Sequence, residues 1–210
     1  KNKNILLSHL KFKKVINQTF KKNIVIFASG AGSNAQKIID YFRENRNVKV
    51  VLIVCNNAKA GVNTIAEKEN IPLLLIEKNE FKKTGYLKEI KSFEPSLLVL
   101  AGFLWKIPEI LIASFPQKII NIHPALLPAY GGKGMYGNAV HAAVIDSNEK
   151  LSGITIHYVD EKYDNGKIIV QVSCDVVEND TEESLAKKIH LLEHEYYPKT
   201  IAKILEENKP

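Results

Sequence analysis

Lys118-Ile119-Ile120-Asn121-Ile122-His123-Pro124-Ala125-Leu126-Leu127-Pro128 begins as a short apolar run and ends between two prolines. The run from Lys118 to Ile122 predicts a buried parallel strand, because strands covered on both faces read as near-continuous apolar stretches. Asn121 and His123 then fall at the C-terminal end of that strand with alternate-residue spacing, so both side chains can point the same way. Open α/β sheets place their ligands at that end. An Asn amide can donate to an oxyanion, and a His, with an ordinary pKa near ~6.5, can carry a proton to or from an amine. Those are the means of acyl transfer. Polar residues also cap strands and turns without any chemistry, so Asn-x-His alone leaves both readings open.

Around this segment, apolar runs alternate with helical periodicity from residue 23 onward, which predicts an α/β fold with a doubly wound, mostly parallel sheet. Strands are expected near 24–29, 48–55, 72–76, 96–101 and 118–122, with helices near 33–44, 60–69, 82–93, 107–114 and 138–146. Residues 152–159 and 167–175 instead alternate polar and apolar and flank Asp164-Asn165-Gly166, so they predict a partly antiparallel pair. A long C-terminal helix is expected from Asp180 or Thr181, with a capping box from Asp180 to Glu183 and a bend at Pro198.

At 210 residues and 45% hydrophobic content, one domain over 23–210 is the expectation, with room for a single good core. The net charge of +6 invites a nucleic-acid reading, but residues 1–22 hold seven lysines and no acid, leaving −1 for the rest. No basic stripe interleaved with aromatics remains on the folded part, so neither a nucleic-acid partner nor a membrane partner is expected. Residues 1–22 read as a basic extension, disordered or loosely packed, dominated by Lys and Asn where a targeting peptide favours Arg and Ser. Cys55 and Cys174 have no metal-ligand spacing and read as small core residues of a reducing, cytoplasmic compartment.

Gly30-Ala31-Gly32-Ser33-Asn34-Ala35 follows the first predicted strand and opens a helix, and it formally matches G-x-G-x-x-A. The amides of such a turn favour a phosphate on any ligand. A dinucleotide site also needs an acid at the end of the second strand for the ribose, and here that strand ends Val54-Cys55-Asn56-Asn57. A monophosphate, contacted by Ser33 and Asn34, suits the loop better than NAD. Glycines needed only for a tight turn are the bland alternative.

The stretch Asn121 to Tyr130, NIHPALLPAY, resembles the NIHxSLLPxYxG signature of the folate-dependent formyltransferases. Further matches follow the same order: Ser29 to Asn34, Leu100-Ala101-Gly102-Phe103, His157 to Glu161 with Asp164-Asn165-Gly166, and Glu193 to Pro198. The resemblance covers roughly residues 23 to 207 and is to the branch acting on phosphoribosylglycinamide in purine synthesis. It implies a Rossmann-like formyltransferase fold, 10-formyltetrahydrofolate as formyl donor, the amine of phosphoribosylglycinamide as acceptor, no metal, and a monomer or homodimer. Asn121, His123 and Asp164 would be catalytic, with Asp164 pairing to His123 and favouring its charged form. Gly32, Ser33 and Asn34 would hold the phosphate, Glu193 the ribose, and His190 the phosphate side. Leu104, Trp105, Lys106 and Ile107 would line the folate pocket, joined by the backbone of Asp160, Glu161, Lys162 and Tyr163, with Lys83 or its neighbour Lys82 at the glutamate tail. The bond Leu127–Pro128 is expected to be cis.

Relatives acting on methionyl-tRNA carry a C-terminal RNA-binding domain, and formyltetrahydrofolate hydrolases an N-terminal regulatory one; neither is expected here. From another class, a noncatalytic or redox nucleotide-binding module would use only the glycine loop, and NADH binding without reduced-folate binding would favour it. The segment Tyr130 to Asn138 departs from many relatives; rich in glycine, it is expected to be mobile and without a catalytic role. His141 and His157 read as structural histidines.

Overall fold

The computed structural model describes residues 22–207. Seven strands form one sheet in the order β3-β2-β1-β4-β5-β6-β7. They are β1 (Lys22–Ala28), β2 (Val48–Cys55), β3 (Leu73–Leu75), β4 (Pro95–Leu100), β5 (Ile119–His123), β6 (Leu151–Tyr158) and β7 (Ile168–Asp175). β1 to β5 run parallel, while β6 is antiparallel to β5 and to β7. The helices among the described residues are α1 (Ser33–Phe42), α2 (Gly61–Lys68), α3 (Lys78–Phe81), α4 (Gly85–Ser92), α5 (Glu109–Ser114), α6 (Asn138–Asp146) and α7 (Glu182–Glu207).

Strand β1 shows why the parallel half forms. Ile24, Ile26 and Ala28 pack into one core with α1, α2 and α7, whereas Val25 and Phe27 pack into a second core with α4 and α5. Because side chains alternate across a strand, an unbroken apolar run stocks both faces, and helices must cover both. The chain order reverses between β1 and β4, and the C-terminal ends of β1, β4 and β5 open there onto a common crevice.

Some local expectations are revised. The helix expected over 82–93 starts later, as α4 from Gly85, since Lys82-Lys83-Thr84 separates it from a short unexpected helix, α3, that ends at Phe81. The capping pair of α7 is Thr181 with Ser184, whose side chains accept from each other's backbone amides at 3.2 and 2.9 Å. Asp180 instead accepts from the Val177 amide and the Ser184 hydroxyl and pairs with Lys188. Lys22, expected in the basic extension, begins β1, and residues 1–21 lie outside the described residues. The bond Leu127–Pro128 is cis. Among the described residues, no helix is long and apolar enough to cross a membrane.

Candidate active site

A cavity of about 720 Å³ lies over the C-terminal ends of β1, β4 and β5, within the usual size range of small-molecule sites. Asn121 and His123 reach it from β5, and Asp164 reaches it from the loop between β6 and β7. Asp164 has φ 50, a left-handed conformation that Asp tolerates better than most residues. Gly166 holds that loop against β6, because a Cβ there would sit 1.8 Å from the Tyr158 carbonyl oxygen.

His123 is buried, and its Nδ1 lies 3.6 Å from Oδ2 of Asp164. Its Nε2 is 2.7 Å from the Tyr130 carbonyl oxygen, which only accepts, so Nε2 carries a hydrogen. Nδ1 is therefore the nitrogen left to gain and lose a proton. Burial pushes the pKa of His123 down, and the opposing pull of the Asp164 charge does not overcome it. Asp164 thus acts on His123 in the expected sense, favouring the charged form, but burial is the larger influence and the net shift is downward. For Asp164, burial raises the carboxyl pKa, but the His157 ring, the charge of His123 and the Gly132 amide together bring it below the ordinary value. That amide donates to Oδ2 at 2.9 Å.

Asn121 is oriented by His157. The His157 ring donates from Nδ1 to the Tyr158 carbonyl at 2.9 Å, which leaves Nε2 to accept from Nδ2 of Asn121 at 3.2 Å. The other amide hydrogen has only Oδ1 of Asp164, at 3.5 Å. That weak contact leaves the hydrogen open to a reacting oxygen. His157, read from sequence as structural, is a buried wall residue of this cavity, placed opposite Asn121 by the β5–β6 register. The glycine-rich segment likewise touches both members of the His–Asp pair through Tyr130 and Gly132.

The glycine loop forms the second side of the cavity. Gly32, with φ 83, caps α1, and a Cβ there would meet Val62 at 2.8 Å. Asn34 donates to Oε2 of Glu193 at 3.0 Å, and the same oxygen is 2.9 Å from Nδ1 of His190. This hydrogen bond to Glu193 raises the pKa of the His190 ring. Glu193 and Tyr197 on this face are buried, while His190 at its edge is exposed. One turn on, Tyr197 is fully buried and donates toward the carbonyls of Leu100 at 3.0 Å and Ile120 at 3.4 Å, tying α7 to β4 and β5.

The third side is apolar. Ser29 Oγ accepts from the Leu104 amide at 2.9 Å and so fixes the segment Leu104 to Ile107 beside the end of β1. Trp105 packs against Phe81 and Phe103 and lines this cavity together with a neighbouring one of about 690 Å³. Asp160, Lys162 and Tyr163 line the first cavity, whereas Glu161 does not. Lys83 borders neither; its ammonium pairs with Glu80 at 2.7 Å, and the cations on the second cavity are Lys78, Lys82 and Lys106. Among the described residues no cluster of His, Cys, Asp or Glu has the makings of a metal site.

Residues 22–201 match the formyl transferase family. The chain is 40% identical over 194 residues to the chloroplastic phosphoribosylglycinamide formyltransferase of Arabidopsis thaliana, covering 89% of this chain and 66% of that protein. It is 37% identical over 190 residues to phosphoribosylglycinamide formyltransferase of Bacillus subtilis, covering 88% of this chain and 95% of that protein. The chain thus spans somewhat under two thirds of the plant relative and nearly all of the bacterial one. The crystal structure of phosphoribosylglycinamide formyltransferase from Bacillus halodurans superposes with a TM-score of 0.81 at 32% identity, covering 90% of this chain and 97% of that one. With the family match running from β1 into α7 and the sheet shared with that structure, this chain belongs to the formyl transferase family.

Proposed function

We propose that the chain transfers a formyl group from 10-formyltetrahydrofolate to the primary amine of 5-phosphoribosylglycinamide, giving the formylated ribonucleotide and tetrahydrofolate in purine synthesis. The observation that carries this reading is the meeting of Asn121, His123 and Asp164 in one cavity with a phosphate-type glycine loop. A module that bound nucleotides only through the loop would leave that constellation without a purpose. A dinucleotide reading lacks an acid at the end of β2, where Cys55, Asn56 and Asn57 stand.

In the mechanism that follows, the phosphate rests on the amides of Gly32, Ser33 and Asn34 at the N-terminus of α1. The pterin lies along Leu104 to Ile107 and the loop from Asp160 to Tyr163. The amine attacks the formyl carbon, a C–N bond forms, and the formyl oxygen takes the negative charge. Asn121 donates to that oxygen. Neutral His123 takes the surplus proton of the attacking nitrogen on Nδ1, and the ionised Asp164 beside it stabilises the imidazolium. Collapse breaks the bond to the folate nitrogen, which receives that proton from His123. The charges and the proton balance without a metal. The second cavity, with Lys78, Lys82 and Lys106, suits the carboxylates of the folate tail. A cytoplasmic location belongs to the same proposal.

The test is a coupled assay. Tetrahydrofolate is expected to form only when phosphoribosylglycinamide and 10-formyltetrahydrofolate are both present, and Asn121→Ala should lower turnover about 10²- to 10³-fold. Formation of tetrahydrofolate without the amine would make the chain a hydrolase, and no formation at all would remove the reading.

A further inference from the structure

Among the described residues, six buried side-chain polar atoms lack a hydrogen-bond partner, and three of them belong to neighbours of Glu193: Asn34 Oδ1, His141 Nδ1 and His194 Nε2. Asn34 must turn its amide nitrogen to Glu193, since a carboxylate only accepts, and its Oδ1 is thereby left as an acceptor without a donor. His141 is buried on α6 and lines the same cavity as Asn34, His190 and Glu193. Burial lowers its pKa, so the ring offers one donor and one acceptor. Unpaired buried polar groups are costly, and two of them on one cavity wall, on Asn34 and His141, call for a ligand that pairs them.

The chemistry of the corner narrows that ligand. Phosphate oxygens accept and carry negative charge, so they would leave Asn34 Oδ1 unpaired and be repelled by the Glu193 carboxylate. Hydroxyl groups both donate and accept, and a sugar diol serves a carboxylate, an amide oxygen and a neutral imidazole at once. Glu193 bonds Asn34 of the glycine loop and acts electrostatically on His123, so the corner touches both groups that a sugar joining a phosphate to a reacting amine has to connect. We propose that His141 is a specificity-determining contact to the sugar hydroxyls of the acceptor ribonucleotide, acting beside Asn34 and Glu193. This rests on the acceptor assigned above.

The experiment is a cycle of two enzymes and two acceptors: wild type and His141→Ala, each with the ribonucleotide and with its 2′,3′-dideoxy counterpart, followed through KM or the inhibition constant. Losing His141 is expected to weaken the ribonucleotide roughly 5- to 100-fold and to leave the dideoxy compound nearly unchanged. His141→Gln, which keeps a donor and an acceptor, should recover part of the difference. Should His141→Ala fail to fold, His141→Phe, which keeps the ring volume without either nitrogen, carries the same cycle. Equal factors for both acceptors, or no change for the ribonucleotide, would overturn the contact while the acceptor reading stands. A wild type that formylates no acceptor would remove the acceptor reading and this proposal with it.

Discussion

Asn121 on β5 and His157 on β6 are directly opposed across the antiparallel pair, and the His157 ring accepts from the Asn121 amide at 3.2 Å. The ring is itself tied by Nδ1 to the Tyr158 carbonyl, so the amide is held by a group that cannot rotate freely. His157→Ala is therefore expected to lower turnover about 10-fold or more while KM for both substrates moves little, because misaligned oxyanion donors act mainly on the transition state. Steady-state kinetics checks this; a rise in KM at constant turnover would make His157 a binding residue instead.

Asp164→Asn should move the acid limb of the pH–rate profile. The Asp164 charge raises the His123 pKa against the lowering by burial, so removing it lets that pKa fall further. Neutral His123 is the competent form, activity is lost as pH drops through its pKa, and the limb is expected at lower pH in the variant. Turnover should fall on the order of 10²- to 10⁴-fold. Combined with His123→Ala, the substitution should cost little beyond His123→Ala alone, and strictly additive losses would show that the two do not act as a pair.

Gly32→Ala combines a left-handed backbone with a Cβ 2.8 Å from that of Val62. The strain is expected to cost roughly 1–3 kcal/mol, and the displaced loop should weaken the ribonucleotide more than the folate. Thermal melting and the two KM values check both parts. An unchanged melting temperature would mean that α1 shifts at no cost.

Asp180 offers a test at acid pH away from the site. Hydrogen bonds from Lys188, Ser184 and the Val177 amide hold its carboxyl pKa at about 2, below the ordinary 3.8. A lowered folded-state pKa stabilises above the unfolded value and fades as pH falls between the two. Asp180→Asn should thus destabilise at neutral pH by about 1 kcal/mol, a modest figure because water screens the half-exposed Lys188, and the difference should vanish as pH approaches about 2. Denaturant unfolding at neutral and acid pH checks it.

The parallel core was legible because its signal is local. An unbroken apolar run such as Val50 to Cys55 serves two faces whatever its neighbours are, and a glycine loop between strand and helix announces itself. The gathering of Asn121, His123 and Asp164 was legible only through a family signature, since nothing in a one-dimensional pattern brings Asp164 back to β5 across 41 residues. Lys82 and Lys83 could not be told apart for a related reason: both stand in the polar stretch after α3, and only packing shows that Lys82 borders the second cavity while Lys83 pairs with Glu80.

What the amino-acid sequence determined by itself is most of the elements, their parallel half, and the chemical types at the strand ends, because periodicity, turn residues and burial propensity act over a few residues. Tertiary structure alone decided partnership. The β5–β6 register sets His157 against Asn121, where a slip of one residue would turn His157 to the other face of the sheet. Folding also put His123 in a buried setting where desolvation outweighs its acidic neighbour, and desolvation is a property of everything packed around a group rather than of the residues beside it in the chain.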